Sequence, residues 1–399
     1  MKILHTVEYY SPSIGGMQEV VRQLSERLVA SGHSVTVATS SRPDRAAGVL
    51  NGVAIQSFDI QGSQVRGMTG DVLAYERFLL ESEFDVVANF AAQQWATDVA
   101  LPILPQIKGR KVFVPTGFSG LFNPKYEGYF EQMKGWMRSY DATVYLSKDY
   151  RDYRFGLEQG LENMVIIPNG AGEDEFETLP ELDLRNSLGI PRDDFLILLV
   201  GSHTGLKGHR EAMAMFKAAN LPKSTLLIVA NDPQEGCGER CARRAARFRR
   251  SPIRLLDRKQ ILVAELTREQ TLAAYKAADI FLFPSQIECS PLVIFEAMAS
   301  GTPFLSTDVG NVAELARFGG GELLPGKADE EGLTHADIAA SAKMLAAMRK
   351  DRHTRTEMAR KGREAWKDNF TWEGIATRYE DLYQTLLAPE SGKTRADIG

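Results

Sequence analysis

The chain has 399 residues, of which 44% are hydrophobic, 25% charged and 9% aromatic, with a formal net charge of -5. That length exceeds one ordinary hydrophobic core and favours two domains, while no apolar run approaches the roughly 20 residues of a membrane span. The charge gives no global argument for a nucleic-acid partner, and the opening Met1-Lys2-Ile3-Leu4 reads as a strand and not as a secretory signal, so a cytoplasmic location is expected.

In chain order, short apolar runs alternate with segments of helical period. Residues 3–7 read as strand, 17–30 as helix and 35–38 as strand, and the rhythm continues with runs at 85–89, 111–114, 142–146 and 164–167. Alternation of this kind implies parallel strands joined by crossover helices. Tyr9-Tyr10-Ser11-Pro12-Ser13-Ile14-Gly15-Gly16-Met17 joins the first strand to the first helix, and Gly15 and Gly16 there would let a phosphate or sugar approach the backbone closely. Residues 126–140 mix Tyr129, Phe130, Met133, Trp136 and Met137 with Lys125, Lys134 and Arg138 nearby. Such a stripe either faces a core or receives a lipid-linked acceptor.

At residues 168–175 turn formers and acids replace the periodic pattern, which places a linker there. The strand rhythm then restarts with 195–200, 225–229, 253–256, 280–283 and 303–306, so the chain reads as two similar α/β halves, 1–170 and 176–371. Arg243, Arg244, Arg247, Arg249, Arg250, Arg254 and Arg258 crowd one segment of the second half, as a solvated helix face or a contact for an anionic membrane surface. Residues 372–387 carry an apolar stripe at helical spacing that something must cover, and 388–399 look polar and loose. Cys237 and Cys241 stand four apart without further paired ligands, and His5, His33, His203, His209, His335 and His353 form no ligand cluster by spacing, so neither a disulfide nor a metal is expected.

The most informative window runs from Phe283 to Pro303 and reads as strand, loop, short helix and strand. Ser290 is placed as the N-cap and Pro291 as the first helical residue, so that the amides of Leu292 and Val293 form an anion site beyond the strand ends. Glu296 stands among apolar residues of that helix, where ligand hydroxyls would satisfy its carboxylate, and Glu288 precedes it in the loop. Between a strand and a helix at the start of the second half lies Gly201-Ser202-His203-Thr204-Gly205-Leu206-Lys207-Gly208-His209, a loop in which glycines flank the lysine.

Together these segments resemble glycosyltransferase family four. The match is carried by Glu288 and Glu296 with seven residues between them, by Glu296-Ala297-Met298-Ala299-Ser300-Gly301-Thr302-Pro303, and by Asp308-Val309-Gly310-Asn311 through Glu314. Gly15-Gly16, Pro168-Asn169-Gly170 and Phe370-Thr371-Trp372-Glu373 extend it over nearly the whole chain. The resemblance implies the GT-B fold, two Rossmann-like doubly wound domains facing across a cleft, with the C-terminal helix crossing back to the first. It implies retaining transfer of a sugar from a UDP- or GDP-sugar, bound by the second half, to a sugar or lipid-linked acceptor. By the same resemblance Glu296 holds the ribose, Glu288 contacts the transferred sugar, and Lys207 grips the diphosphate.

Two positions depart from the family pattern. Ser202 stands where the family usually has a phosphate-binding arginine, and Thr116, in Val114-Pro115-Thr116-Gly117-Phe118, where many members have a histidine. Lipopolysaccharide-core branches share the Gly-Ser and Lys-Gly pattern, which points to cell-surface polysaccharide or lipopolysaccharide assembly, while the arginine run and the segment at 126–140 are the candidates for peripheral contact at the inner membrane face. No cofactor or metal is implied, since the nucleotide sugar is itself a substrate. A nucleotide-sugar-binding scaffold with degenerate chemistry and an epimerase on the same fold are the alternatives.

Overall fold

The computed structural model describes residues 1–45, 48–231, 236–251 and 257–389. It divides into two compact units: one of Met1–Tyr145, Arg151–Ile167 and the chain from Glu373 onward, the other of Leu146–Tyr150 and Pro168–Trp372. The loose tail expected at 388–399 lies, from residue 390, outside the described residues.

The first unit is built on strands β1 (Lys2–Thr6), β2 (Ser34–Ser40), β3 (Val49–Leu50) and β4 (Val53–Phe58), a separate hairpin of β5 (Ile60–Ser63) and β6 (Gly67–Gly70), and then β7 (Val86–Phe90), β8 (Arg110–Val114), β9 (Ala142–Tyr145) and β10 (Met164–Ile166). The main sheet runs β10-β9-β8-β7-β1-β2-β4-β3, parallel throughout except for the short β3 edge. Leu4 aligns with Thr36 on one side and Val87 on the other. Strands covered by crossover helices on both faces must be apolar on both, which is why they appear in the sequence as unbroken runs. Leu4, Ala38, Val87 and Phe113 face a core shared with Phe58, Tyr75, Trp95, Tyr129, Phe130 and Met133. The aromatic segment at 126–140 is therefore chiefly a core-facing helix, Glu127–Trp136.

The C-terminal helix Trp372–Leu387 has its stripe covered within this unit from Glu373 on. Tyr379 and Tyr383 are buried, Tyr383 Oη lies 3.2 Å from His5 Nε2, Glu373 pairs with Arg27 at 2.6 Å and Glu380 with His33 at 2.9 Å.

The second unit carries β11 (Phe195–Val200), β12 (Ser224–Val229), β13 (Lys259–Ala264), β14 (Ile280–Phe283), β15 (Phe304–Ser306) and β16 (Gly321–Leu323) in the parallel order β13-β12-β11-β14-β15-β16. Alternate residues feed two cores: Leu196, Leu198, Phe281 and Phe283 on one face, Ile197, Leu199, Ile280 and Leu282 on the other. The run at 253–256, expected as a strand, lies in an interval, 252–256, outside the described residues, and the strand that pairs with β12 is Lys259–Ala264.

In both sheets the first strand of the unit sits between the second and the fourth major strand, so the chain leaves it in opposite directions on its two sides. Ligands of doubly wound sheets bind at that switch, beyond the carboxyl ends of the strands. These positions are the loops after β1 and β7 in the first unit and after β11 and β14 in the second.

Candidate active site

In the second unit the loop after β11 is tied to the loop after β14 by its backbone. Leu206 O accepts from Gln286 N–H at 2.9 Å and from Ser285 Oγ at 3.2 Å. Gly208 turns into the helix His209–Ala218 at φ 71°, and a Cβ there would lie 2.0 Å from Pro284 O. Only glycine meets both demands. This approach brings together two motifs 81 residues apart: Lys207 Nζ lies 2.6 Å from Glu288 Oε1, which also accepts from Ser285 Oγ at 2.8 Å. The pair is partly shielded, with side chains 27% and 11% exposed, so it is neither a free surface ion pair nor a buried one.

Glu296 lies in the apolar helix Leu292–Ala299, but its carboxylate already has protein partners that the sequence did not disclose. Arg268 donates to Oε1 at 2.6 Å while also gripping Glu175, and Tyr275 Oη donates to Oε2 at 3.0 Å. Burial works against the Arg268 charge, and Glu296 and Glu175 more than offset it, so the guanidinium is held more firmly protonated than usual. Burial, and then Glu296, drive the Tyr275 hydroxyl well above its ordinary value, which keeps it a donor. Glu296 is thus a fixed, oriented carboxylate, and each oxygen retains acceptor capacity for a further hydroxyl.

The predicted N-cap is corrected. Helix Leu292–Ala299 has Pro291 at its N-cap position and no side-chain capping bond. Ser290 is instead taken by two asparagines: its Oγ accepts from Asn311 Nδ2 at 2.9 Å and from Asn169 N–H at 3.4 Å, and its carbonyl accepts from Asn169 Nδ2 at 2.8 Å. Ile294 N–H already bonds to Pro291 O, and Leu292 and Val293 precede that first bond, so their amides are the orphan donors of the helix start. Ser202 is partly exposed in its loop, and Arg210 projects into solvent. His203, next to Ser202, is buried at 2% exposure.

Two histidines and two cysteines that the sequence spacing does not link come together in the structure. His203, His209, Cys237 and Cys241, all buried, bring ligand-capable atoms within 4.8 Å of one another. In the sequence they stand as His-x5-His and Cys-x3-Cys, and 27 residues separate His209 from Cys237, so no local spacing joins the two pairs. The arginine run of helix Cys237–Arg249 is a solvated face: Arg243, Arg244, Arg247 and Arg249 are exposed opposite Cys237, Cys241, Ala245 and Phe248, as is Arg250 just beyond, while Arg254 lies outside the described residues.

In the first unit, Val7, Glu8, Tyr9, Gln18, Ala91 and Gln93 are among the residues lining a cavity of about 330 Å³ at the carboxyl ends of β1 and β7. Gly15 is extended at φ 172° and a Cβ on it would meet only the flexible Gln18 side chain; a Cβ on Gly16 would meet nothing. Backbone strain does not require either glycine. It is concentrated nearby, in non-glycine residues at positive φ: Ala91 (63°), Gln93 (65°), Thr116 (58°) and Phe118 (45°). Asp152 anchors the second of these stretches by accepting from Gly117 N–H at 2.8 Å, and Asp98 accepts from Tyr129 Oη at 2.8 Å. Burial raises both carboxyls to about 6. Burial likewise raises Glu8 at the cavity wall.

Comparison with known proteins agrees with this architecture. A D-inositol 3-phosphate glycosyltransferase of Xylanimonas cellulosilytica is 25% identical over 96% of this chain and 95% of its own. A lipopolysaccharide 1,2-N-acetylglucosaminetransferase of Salmonella typhimurium is 26% identical over 54% of this chain and 55% of its own. The structure of Anabaena HepE in complex with UDP and glucose superposes with a TM-score of 0.73 over 96% of this chain and all of that one, at 16% identity, a likeness of fold. Residues 14–175 match the family model described as Glycosyltransferase Family 4 and residues 181–364 the one described as Glycosyl transferases group 1. The chain therefore belongs to the group 1 glycosyltransferases of family four and is a transferase of GT-B fold.

Proposed function

We propose that the protein transfers a sugar, with retention of anomeric configuration, from a nucleotide-diphosphate sugar to a sugar or lipid-linked acceptor in cell-surface polysaccharide or lipopolysaccharide assembly. The observation that carries this reading is the Lys207–Glu288 pair, 2.6 Å apart at the switch of the second sheet. A diphosphate entering there competes with Glu288 for the lysine ammonium. Its charge is then met by Lys207 and by the amides of Leu292 and Val293, while Glu288 is released to accept from the sugar hydroxyls. One preorganised cation at a developing phosphate charge is worth on the order of 3 kcal/mol in a dry site. Glu296, fixed by Arg268 and Tyr275, presents its remaining lone pairs to the ribose.

In this scheme the acceptor oxygen attacks the face from which the phosphate departs. The bond from the anomeric carbon to the phosphate oxygen breaks, the bond to the acceptor oxygen forms, and the acceptor proton passes to the leaving phosphate. No protein base is needed, which suits Thr116, a residue that donates a hydrogen bond but does not titrate near neutral pH. With Lys207 and the helix amides meeting the diphosphate charge, turnover is expected without added magnesium or manganese.

UDP as the nucleotide is favoured by the complex of the Anabaena neighbour, and the pathway by the name of the Salmonella relative. The test is incubation of the purified chain with UDP- and GDP-sugars and candidate acceptors, with proton coupling constants read at the new anomeric centre. A product of unchanged configuration is expected. Inversion overturns the mechanism, conversion of the nucleotide sugar without acceptor points to an epimerase, and binding without turnover points to a scaffold.

A further inference from the structure

The buried cluster in the second unit lies beside the phosphate loop but takes no part in the chemistry above. His203 is in the loop after β11 and His209 is the first residue of the helix His209–Ala218. Cys237 and Cys241 are four apart at the start of the helix Cys237–Arg249, so they share one face. All four are closed off from solvent, with residue exposures of 2%, 3%, 8% and 1%, and both cysteines are free thiols. The imidazole rings lie 4.6 Å apart, centroid to centroid.

The hydrogen bonding of His209 sets which of its atoms is offered. Its Nε2 lies 3.0 Å from Gly201 O, and a carbonyl only accepts, so Nε2 carries the proton and Nδ1 a bare lone pair. That Nδ1 is buried without a hydrogen-bond partner among the described residues. A buried acceptor left unmet costs roughly 1–3 kcal/mol. A carbonyl holding one imidazole nitrogen so that the other faces a cluster of ligand atoms is the usual outer shell of a metal-bound histidine.

We propose that His203, His209, Cys237 and Cys241 bind a structural zinc ion. Two thiolates and two imidazoles suit zinc and not magnesium or calcium. A tetrahedron with Zn–S of about 2.3 Å and Zn–N of about 2.0–2.1 Å has ligand-to-ligand edges of roughly 3.3–3.8 Å. The four atoms already lie within 4.8 Å, so modest side-chain rotation closes the site. The spacings, His-x5-His and Cys-x3-Cys, fall in the range of structural zinc sites. Four protein ligands in a closed pocket leave no open position, so the ion does not act on substrate. Its two histidines bracket the segment Thr204–Gly208 that carries Lys207, and the ion fastens both ends of that segment to the helix Cys237–Arg249.

The test uses the full chain, freed of any affinity tag and purified without chelator from zinc-sufficient medium. Elemental analysis is expected to find about one zinc per chain, and replacement by cobalt(II) is expected to give thiolate-to-metal charge-transfer and tetrahedral ligand-field bands. Cys241→Ser and His209→Gln are each expected to lose at least about tenfold in zinc affinity. Should those variants fail to fold, the wild-type stoichiometry and cobalt spectrum still decide. Stripping the ion lowers Tm, and zinc but not magnesium restores it. Metal well below stoichiometric after zinc supplementation, with no cobalt spectrum, overturns the proposal, as does undiminished zinc in folded variants. None of these readouts involves a nucleotide or an acceptor, so they stand or fall separately from the transfer reaction.

Discussion

The two sheet switches have the same topology and differ in what their loops present. In the second unit the site presents charge: the loops after β11 and β14 set Lys207 against Glu288, and the helix Arg268–Ala277 sets Arg268 against Glu296 in the helix Leu292–Ala299. In the first, the loops after β1 and β7 and the adjoining loop after β8 present shape, with strained backbone at Ala91, Gln93, Thr116 and Phe118 and buried carboxyls whose pKa burial raises. A common diphosphate can be recognised by charge alone. An acceptor that varies in its hydroxyl pattern must be recognised by fit.

The largest effect that would sharpen this contrast is expected from Gly208→Ala. The new Cβ would fall 2.0 Å from Pro284 O at φ 71°, so a destabilisation of about 3 kcal/mol is expected in denaturant titration. A variant as stable as wild type would show that the approach of the two loops is not constrained as described. Next comes Glu296→Ala, which strips an acceptor from Tyr275 and one of two from Arg268. Roughly 2 kcal/mol of stability should be lost, with weaker nucleotide binding. Glu296→Gln, which keeps an acceptor for one partner, should lose less.

How far the sequence could be read follows the same division. Lys207, Glu288 and Glu296 stand out in the sequence through the motifs that carry the family resemblance, and the structure sets Lys207 against Glu288. Arg268 and Tyr275 do not, since they reach Glu296 from a helix of their own, Arg268–Ala277, and no local pattern marks that contact. Ser290 has the residue type and position of a cap but does not act as one, because two distant asparagines occupy its hydroxyl oxygen. In the first unit the strands were visible as apolar runs, but the positive φ angles are imposed by loops packed in three dimensions and leave no compositional mark on an alanine or a threonine. Nor did β5 and β6 show, as Gly62, Gly67 and Gly70 dilute any strand pattern.

A smaller effect is expected from pH in the first unit. Asp98 and Asp152 bind their protons more tightly when folded, near 6 against 3.8 unfolded, so their contribution to stability is whole below about pH 4 and is lost as pH rises to about 6. Denaturation midpoints should therefore fall less between pH 4 and pH 7 in Asp98→Asn than in wild type, and an unchanged difference would remove the buried-carboxyl account. The smallest effect is expected from Thr116→Gly, which relieves a β-branched residue at φ 58° and should raise stability by about 0.5–1 kcal/mol. A loss of stability there would mean the threonine side chain supports its loop more than its backbone strains it.

The central claim is that the second unit recognises a nucleotide diphosphate by charge through Lys207. Calorimetric titration of UDP, GDP and ADP into wild type, Lys207→Ala and Glu296→Ala tests it most directly. Tight binding of one nucleotide to wild type, weakened at least about tenfold in both variants, is the predicted result. Absence of binding of all three at millimolar concentration, or equal binding by Lys207→Ala, would contradict it.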